Sequence, residues 1–225
     1  MLVKVFVLGR PGSGKTTAIH HLLKLARQSN FTALHMDDYR ILHRMSQEDT
    51  RHIRFRTTAY GGFDVLDLSV FDTALHILEQ QVQALANLEQ DGIVTIEFAR
   101  NDYWQALQQF SAGFLQDAYV FFVDADLDTC IDRIYQRIES SEVTNNHFVS
   151  DYIMRTYYDH DNWLYMCSHM NAHLRSEQQI YKEVRAFRNA GNLQALLDII
   201  EDFAKQLFQR EFQQTIIPQK VLTHA

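Results

Sequence analysis

The sequence predicts an α/β fold: a five-stranded parallel sheet covered by helices on both faces. Three observations predict it. Five short apolar runs rich in β-branched and aromatic residues recur along the chain, separated by segments with apolar residues at helical spacing. A glycine-rich turn joins the first run to the first helix. Only 2 of the 225 residues are proline and 8 are glycine, which favours regular elements over long linkers.

Leu2 to Leu8 is apolar and β-branched, short enough for a buried strand, and Thr17 to Leu25 carries helical spacing. Phe31 to Met36 reads as a second strand ending in Asp37-Asp38-Tyr39-Arg40. The Arg/His-rich stretch His43 to Thr58 reads as partly helical, and Ala59 to Val65 as a loop freed by Gly61-Gly62. Leu75, Leu78, Val82, Leu85 and Leu88 place a long amphipathic helix over Asp67 to Gln90, closed by Asp91-Gly92. Ile93 to Ile96 is a third strand that delivers Glu97-Phe98-Ala99-Arg100 to its end. A short helix from Asp102 to Ala112 precedes a fourth strand, Ala118 to Val123. Asp124-Ala125-Asp126 then caps a helix running through Arg137. Glu139 to Val149 is polar and aperiodic, a lid-like excursion, and a tyrosine-rich helix covers Ser150 to Leu174. Gln179 to Phe187 reads as the fifth strand, Arg188 to Asn192 as a turn, and Leu193 to Gln213 as a closing helix. Strands alternating with helices imply right-handed crossovers within one domain, with 43–67 as an insertion beside the acceptor.

Net charge is −7, and no lysine or arginine run reaches nucleic-acid-binding density, so a nucleic acid partner is not expected. No apolar run approaches a membrane span and the chain opens directly on a strand, so no membrane association is expected either. Cys130 and Cys167 lie in apolar, helix-like surroundings without a CxxC, which reads as a reducing, cytoplasmic setting. His169 and His173 share an i, i+4 spacing but lack the glutamate of H-E-x-x-H, so they read as helix-surface histidines.

Gly9-Arg10-Pro11-Gly12-Ser13-Gly14-Lys15-Thr16 satisfies G-x-x-x-x-G-K-[ST], the phosphate-binding loop, in the strand–turn–helix context that it requires. Gly9, Gly12, Ser13 and Gly14 let backbone N–H groups close on phosphate, and Lys15 reaches the β- and γ-phosphates. Thr16 ligates Mg²⁺, and Thr17 belongs to the same nucleotide-binding set. At the second strand's end, Asp37 or Asp38 reads as a base, the other being free to cap the next helix. Glu97 follows the buried strand Ile93-Val94-Thr95-Ile96, so its carboxylate needs a metal or an arginine, with Arg100 the nearest in sequence. Arg133 and Arg137 lie four apart on one helical face ahead of the lid-like segment, positioned to meet phosphates, with Arg137 the catalytic candidate. Arg188 would contact the nucleotide base if the fifth strand pairs with the first.

These residues resemble the P-loop kinase superfamily, the nucleoside and nucleotide kinase branch that includes adenylate-kinase-like and zeta-toxin-like proteins. Gly9-x4-Gly14-Lys15-Thr16 is similar to their Walker A, and Asp37-Asp38-Tyr39 to the Asp-bearing segment of uridine-kinase-like and zeta-toxin-like enzymes. Glu97-Phe98-Ala99-Arg100 is similar to the Glu–Arg pair of deoxynucleoside kinases, where it serves magnesium and substrate phosphates. That makes Asp38, Glu97 and Arg100 acceptor-binding candidates and Glu97 a metal candidate. Arg133-x3-Arg137 resembles lid-helix arginines, and Arg188 to Leu193 a base-binding turn. The resemblance implies a three-layer P-loop NTPase fold with sheet order 2-3-1-4-5, ATP and Mg²⁺, and phosphoryl transfer to a small-molecule hydroxyl or phosphate. Met45 to Asp67 matches no acceptor signature, so the acceptor is open, with a nucleoside- or nucleotide-like molecule favoured. A regulatory or assembly ATPase and a zeta-toxin-like kinase are the competing readings. A GTPase switch is disfavoured because no N-K-x-D follows the fourth strand.

Overall fold

Strand β1 (Leu2–Leu8) is apolar at every position but Lys4, and a parallel strand of that kind belongs at the centre of a sheet covered on two sides. The computed structural model describes residues 1–58, 62–85, 91–139, 148–170 and 181–213. After β1 come α1 (Lys15–Gln28), β2 (Thr32–Asp37), α2 (Asp38–Glu48), β3 (Phe55–Thr57), β4 (Phe63–Val65) and α3 (Ser69–Leu85). Then follow β5 (Gly92–Phe98), α4 (Tyr103–Leu107), α5 (Ala112–Gln116), β6 (Ala118–Asp124) and α6 (Leu127–Glu139). The chain continues through α7 (Asp151–Thr156), α8 (Trp163–Met170), β7 (Glu183–Arg188) and α9 (Leu193–Phe212).

Five parallel strands lie in the order β2-β5-β1-β6-β7. Counting those five alone along the chain, the order is 2-3-1-4-5, as the resemblance implies. Alternation sorts β1: Phe6 and Leu8 join a core with Leu75, Leu78 and Phe110, whereas Val3, Val5 and Val7 pack with Ile19, Leu22 and Phe203. Fully burying each such side chain contributes roughly 1.5–3 kcal/mol, so the central strand is anchored from above and below. The register aligns the carboxyl ends of the strands: Asp37 stands opposite Glu97, Leu8 between Phe98 and Phe122, and Asp124 opposite Arg188. Ligand sites of open α/β sheets form along that edge.

Three expectations change. The segment read as a loop contains β4, which pairs antiparallel with β3 to make a hairpin separate from the main sheet. The single tyrosine-rich helix is two helices, α7 and α8, because Asn162 is drawn into the interior at the break, accepting from Tyr103 N and donating to Asn101 O. The helix expected from Asp102 to Ala112 stops at Leu107, and Ser111, whose backbone and hydroxyl both donate to Glu79, precedes a separate helix α5 from Ala112. The core of the lid-like segment (140–147), residues 59–61, 86–90 and 171–180, and the tail from 214 lie outside the described residues. Both cysteines are free thiols. No helix among the described residues is long and apolar enough to cross a membrane.

Candidate active site

The phosphate loop leaves β1 at Gly9 and enters α1 at Lys15. Gly9 has φ +146° and a Cβ there would stand 2.2 Å from the Val123 carbonyl oxygen; Gly12 has φ +82° and its Cβ would stand 2.3 Å from the Cys130 carbonyl oxygen. Only glycine allows β6 and α6 to approach the loop this closely. Arg10 fastens the loop on another side, donating to the carbonyl oxygens of Tyr158, Asp159, His160 and Ala125 at 2.7, 3.0, 2.8 and 3.2 Å. Tyr103 Oη accepts from Gly9 N at 2.9 Å and lies 2.8 Å from Gly9 O, to which it donates.

Lys15 is buried, donates to Arg10 O at 2.9 Å and lies 3.8 Å from Glu97 Oε1. Burial lowers its ammonium pKa, and Glu97 is the chief influence raising it. Ser13 Oγ is buried with no hydrogen-bond partner, a donor that fits a phosphate oxygen. Gly14 precedes α1 with φ +111°, and Thr16 and Thr17 are exposed on the first turn of that helix.

The adjacent aspartates divide their roles. Asp37 caps α2, its Oδ1 accepting from Arg40 N at 2.9 Å. Asp38 is the inward carboxylate, buried 2.6 Å from Arg100 Nη1. Burial pushes the Asp38 carboxyl up, opposed chiefly by Arg100. Arg100 is itself buried, donates to Ala99 O and Phe71 O, and lies 4.2 Å from the Phe71 ring centroid. Arg100 therefore serves Asp38, and Glu97 instead meets Lys15 and His35. Burial raises the Glu97 carboxyl, with Lys15 opposing it most strongly.

His35 was not among the residues expected at the site. Its Nδ1 lies 3.0 Å from Thr95 Oγ1, whose own hydroxyl donates to Leu34 O. The ring thereby turns Nε2 toward Asp37 and Glu97, 3.6 Å from each. Arg10, His35, Thr95 and Tyr103 reach the site through contacts distant in sequence, apart from the loop position of Arg10, the one signal that could have marked any of them.

Arg137 sits in the last turn of α6, within electrostatic range of both Lys15 and Glu97. Arg133 is 3.3 Å from both Gly12 O and Ser13 O, so it braces the loop's backbone. Arg188 donates to Asp124 Oδ2 at 3.0 Å and lies 4.6 Å from the Trp163 ring centroid. β7 pairs with β6 rather than β1, yet the turn still reaches the loop, where Asn189 Nδ2 donates to Ser13 O at 2.7 Å. Among the described residues no group of three or more His, Cys, Asp or Glu side chains is placed to hold a metal ion.

A phosphate loop after β1, acidic residues at the ends of β2 and β5 and arginines on the helix after β6 are features of the P-loop kinase-like fold. The chain belongs to the AAA domain family AAA_33, whose model matches residues 5–155. Among solved structures it is similar to the APS kinase of Mycobacterium tuberculosis in complex with AMPPNP and APS. The two are 13% identical with a TM-score of 0.52, over 89% of this chain and 95% of that one. A sugar kinase from Janibacter sp. HTCC2649 is 17% identical over 88% of this chain and 92% of its own, with a TM-score of 0.49. Shikimate kinase from Acinetobacter baumannii in complex with shikimate is 15% identical over 94% and 96%, with a TM-score of 0.47. No curated protein sequence matches the chain.

Proposed function

We propose that this protein is an ATP-dependent kinase that transfers the γ-phosphoryl group to a small-molecule hydroxyl or phosphate, with a nucleoside- or nucleotide-like acceptor favoured. One observation carries the reading: Lys15, Glu97 and the buried Asp38–Arg100 pair converge at the ends of β2 and β5 beside the phosphate loop. In this reading Lys15 and Ser13 Oγ meet the phosphates together with the loop N–H groups. Thr16 and Glu97 would hold Mg²⁺, their hydroxyl and carboxylate oxygens suiting a hard cation, and the ion supplies charge neutralisation on the phosphates when bound. Asp38 accepts the proton of the attacking hydroxyl, and a carboxyl raised by burial is the stronger base for that step. Arg100 keeps Asp38 oriented, and Arg137 adds positive charge opposite the acidic strand ends.

The test is incubation with γ-labelled ATP and a panel of nucleosides, nucleotides, sugars and vitamins. A labelled acceptor is expected. ATP hydrolysis without any labelled acceptor would instead indicate a regulatory or assembly ATPase.

A further inference from the structure

Residues 157–163, which join α7 to α8, touch three separate parts of the site. The middle of this stretch, 159–161, is exposed and makes no backbone–backbone hydrogen bond with any described residue. Side chains from elsewhere therefore hold it in place, and the phosphate loop supplies most of that hold. Arg10 donates to the carbonyl oxygens of Tyr158, Asp159 and His160 at 2.7, 3.0 and 2.8 Å. A second tie runs through a buried tyrosine. Tyr103 Oη bonds the Gly9 backbone, and Tyr103 N donates to the Asn162 side chain at 3.1 Å.

The two ends of the stretch reach different partners. At one end Tyr157 stacks on Phe71, ring centroids 5.5 Å apart. Phe71 in turn carries Arg100: the guanidinium lies 4.2 Å from the ring centroid, and Nη2 donates to Phe71 O at 3.1 Å. Arg100 then holds Asp38 at 2.6 Å. At the other end Trp163 packs against Arg188 at 4.6 Å, and Asp161 lies 3.9 Å from the same guanidinium. Asp124 closes the circuit, 3.0 Å from Arg188 and 3.6 Å from Arg10.

An exposed stretch without a backbone ladder of its own is drawn from the low-stability end of a fold and opens locally at little cost. Its docked form depends on where Arg10 and Gly9 stand, and phosphate bound in the loop fixes both. Ordering one end of such a packed network lowers the cost of ordering the other, a linkage that runs in both directions.

We propose that residues 157–163 form a strap whose docked form, the one seen here, is stabilised by nucleotide in the phosphate loop and keeps Arg100, and through it Asp38, aligned. Arg10 and Tyr157 are its positioning residues, one at the loop and one at Phe71. The inference rests on the kinase reading above and adds a control to it: the Asp38–Arg100 pair is held most firmly when the nucleotide is already in place.

Amide hydrogen exchange of the full chain, with and without AMPPNP and magnesium, tests this at three segments: the loop at 12–16, the strap at 157–163 and the start of α3 at 70–74. AMPPNP is expected to slow exchange about fivefold or more in all three. Arg10→Ala should keep the slowing in the loop and lose most of it in the strap and α3. Tyr157→Leu should lose it in α3 alone, whereas Tyr157→Phe, which keeps a ring against Phe71, retains all three. Slowing confined to the loop in wild type, or slowing in α3 that survives both Arg10→Ala and Tyr157→Leu, overturns the strap and leaves the kinase reading. Transfer from γ-labelled ATP to the acceptor panel is scored separately. Slowing in all three segments with no labelled acceptor defeats the kinase reading and leaves the strap, and no binding of AMPPNP defeats both.

Discussion

The Asp38–Arg100 pair is both a functional candidate and a stability element. Both side chains are less than a tenth exposed, so neutralising one strands the other in the interior. Asp38→Asn is expected to destabilise the protein by about 3 kcal/mol in urea titration, on the usual scale for breaking a buried pair. The double variant Asp38→Leu, Arg100→Met should recover much of that loss, since it leaves no unpaired charge. If the double variant is no more stable than the single one, packing rather than charge governs the position. Glu97 is governed by burial in a different way. Its carboxyl is raised in the folded protein, so the folded chain holds that proton to higher pH than the unfolded chain does. The stability of wild type relative to Glu97→Gln is therefore greatest below pH 4.5, the ordinary value, and declines as pH rises through the raised one. Thermal melts of both proteins across that range measure the difference, and a flat difference would contradict the assignment.

Among the elements, the phosphate loop depends on close backbone approaches and on Arg10. Gly12→Ala would put a methyl group 2.3 Å from the Cys130 carbonyl oxygen at a positive φ, which is expected to cost about 3 kcal/mol or to shift α6 away from the loop. Denaturation of that variant decides between tolerance and strain. Arg10→Ala removes the donors to Tyr158, Asp159 and His160, so amide exchange between α7 and α8 should rise while that in β1 stays protected. The glycines were legible in the sequence because the motif dictates their spacing. The partners of Arg10 were not, since they lie 115 to 150 residues away along the chain. The hairpin was illegible for a local reason: its strands are three residues each, and Arg56 and Asp64 interrupt the apolar pattern. Likewise, no property of Asp37-Asp38 as a dipeptide distinguishes the cap from the buried carboxylate; the start of α2 and the position of Arg100 decide it.

For the whole molecule, five apolar runs alternating with helical segments made the parallel sheet legible, whereas the strand order followed from the resemblance to P-loop kinases. That order brings Asp37, Glu97 and the loop to one edge of the sheet. How α2 and the hairpin pack is a tertiary property that the local sequence pattern does not carry. We propose that this edge transfers a phosphoryl group and that Lys15 stabilises the charge that develops. The most direct measurement of this is the rate of label transfer from γ-labelled ATP to acceptor by wild type and by Lys15→Ala under the same conditions. A drop of roughly 10²–10³ in kcat, with Lys15→Ala still folded, is the predicted result. Undiminished transfer by Lys15→Ala would contradict it.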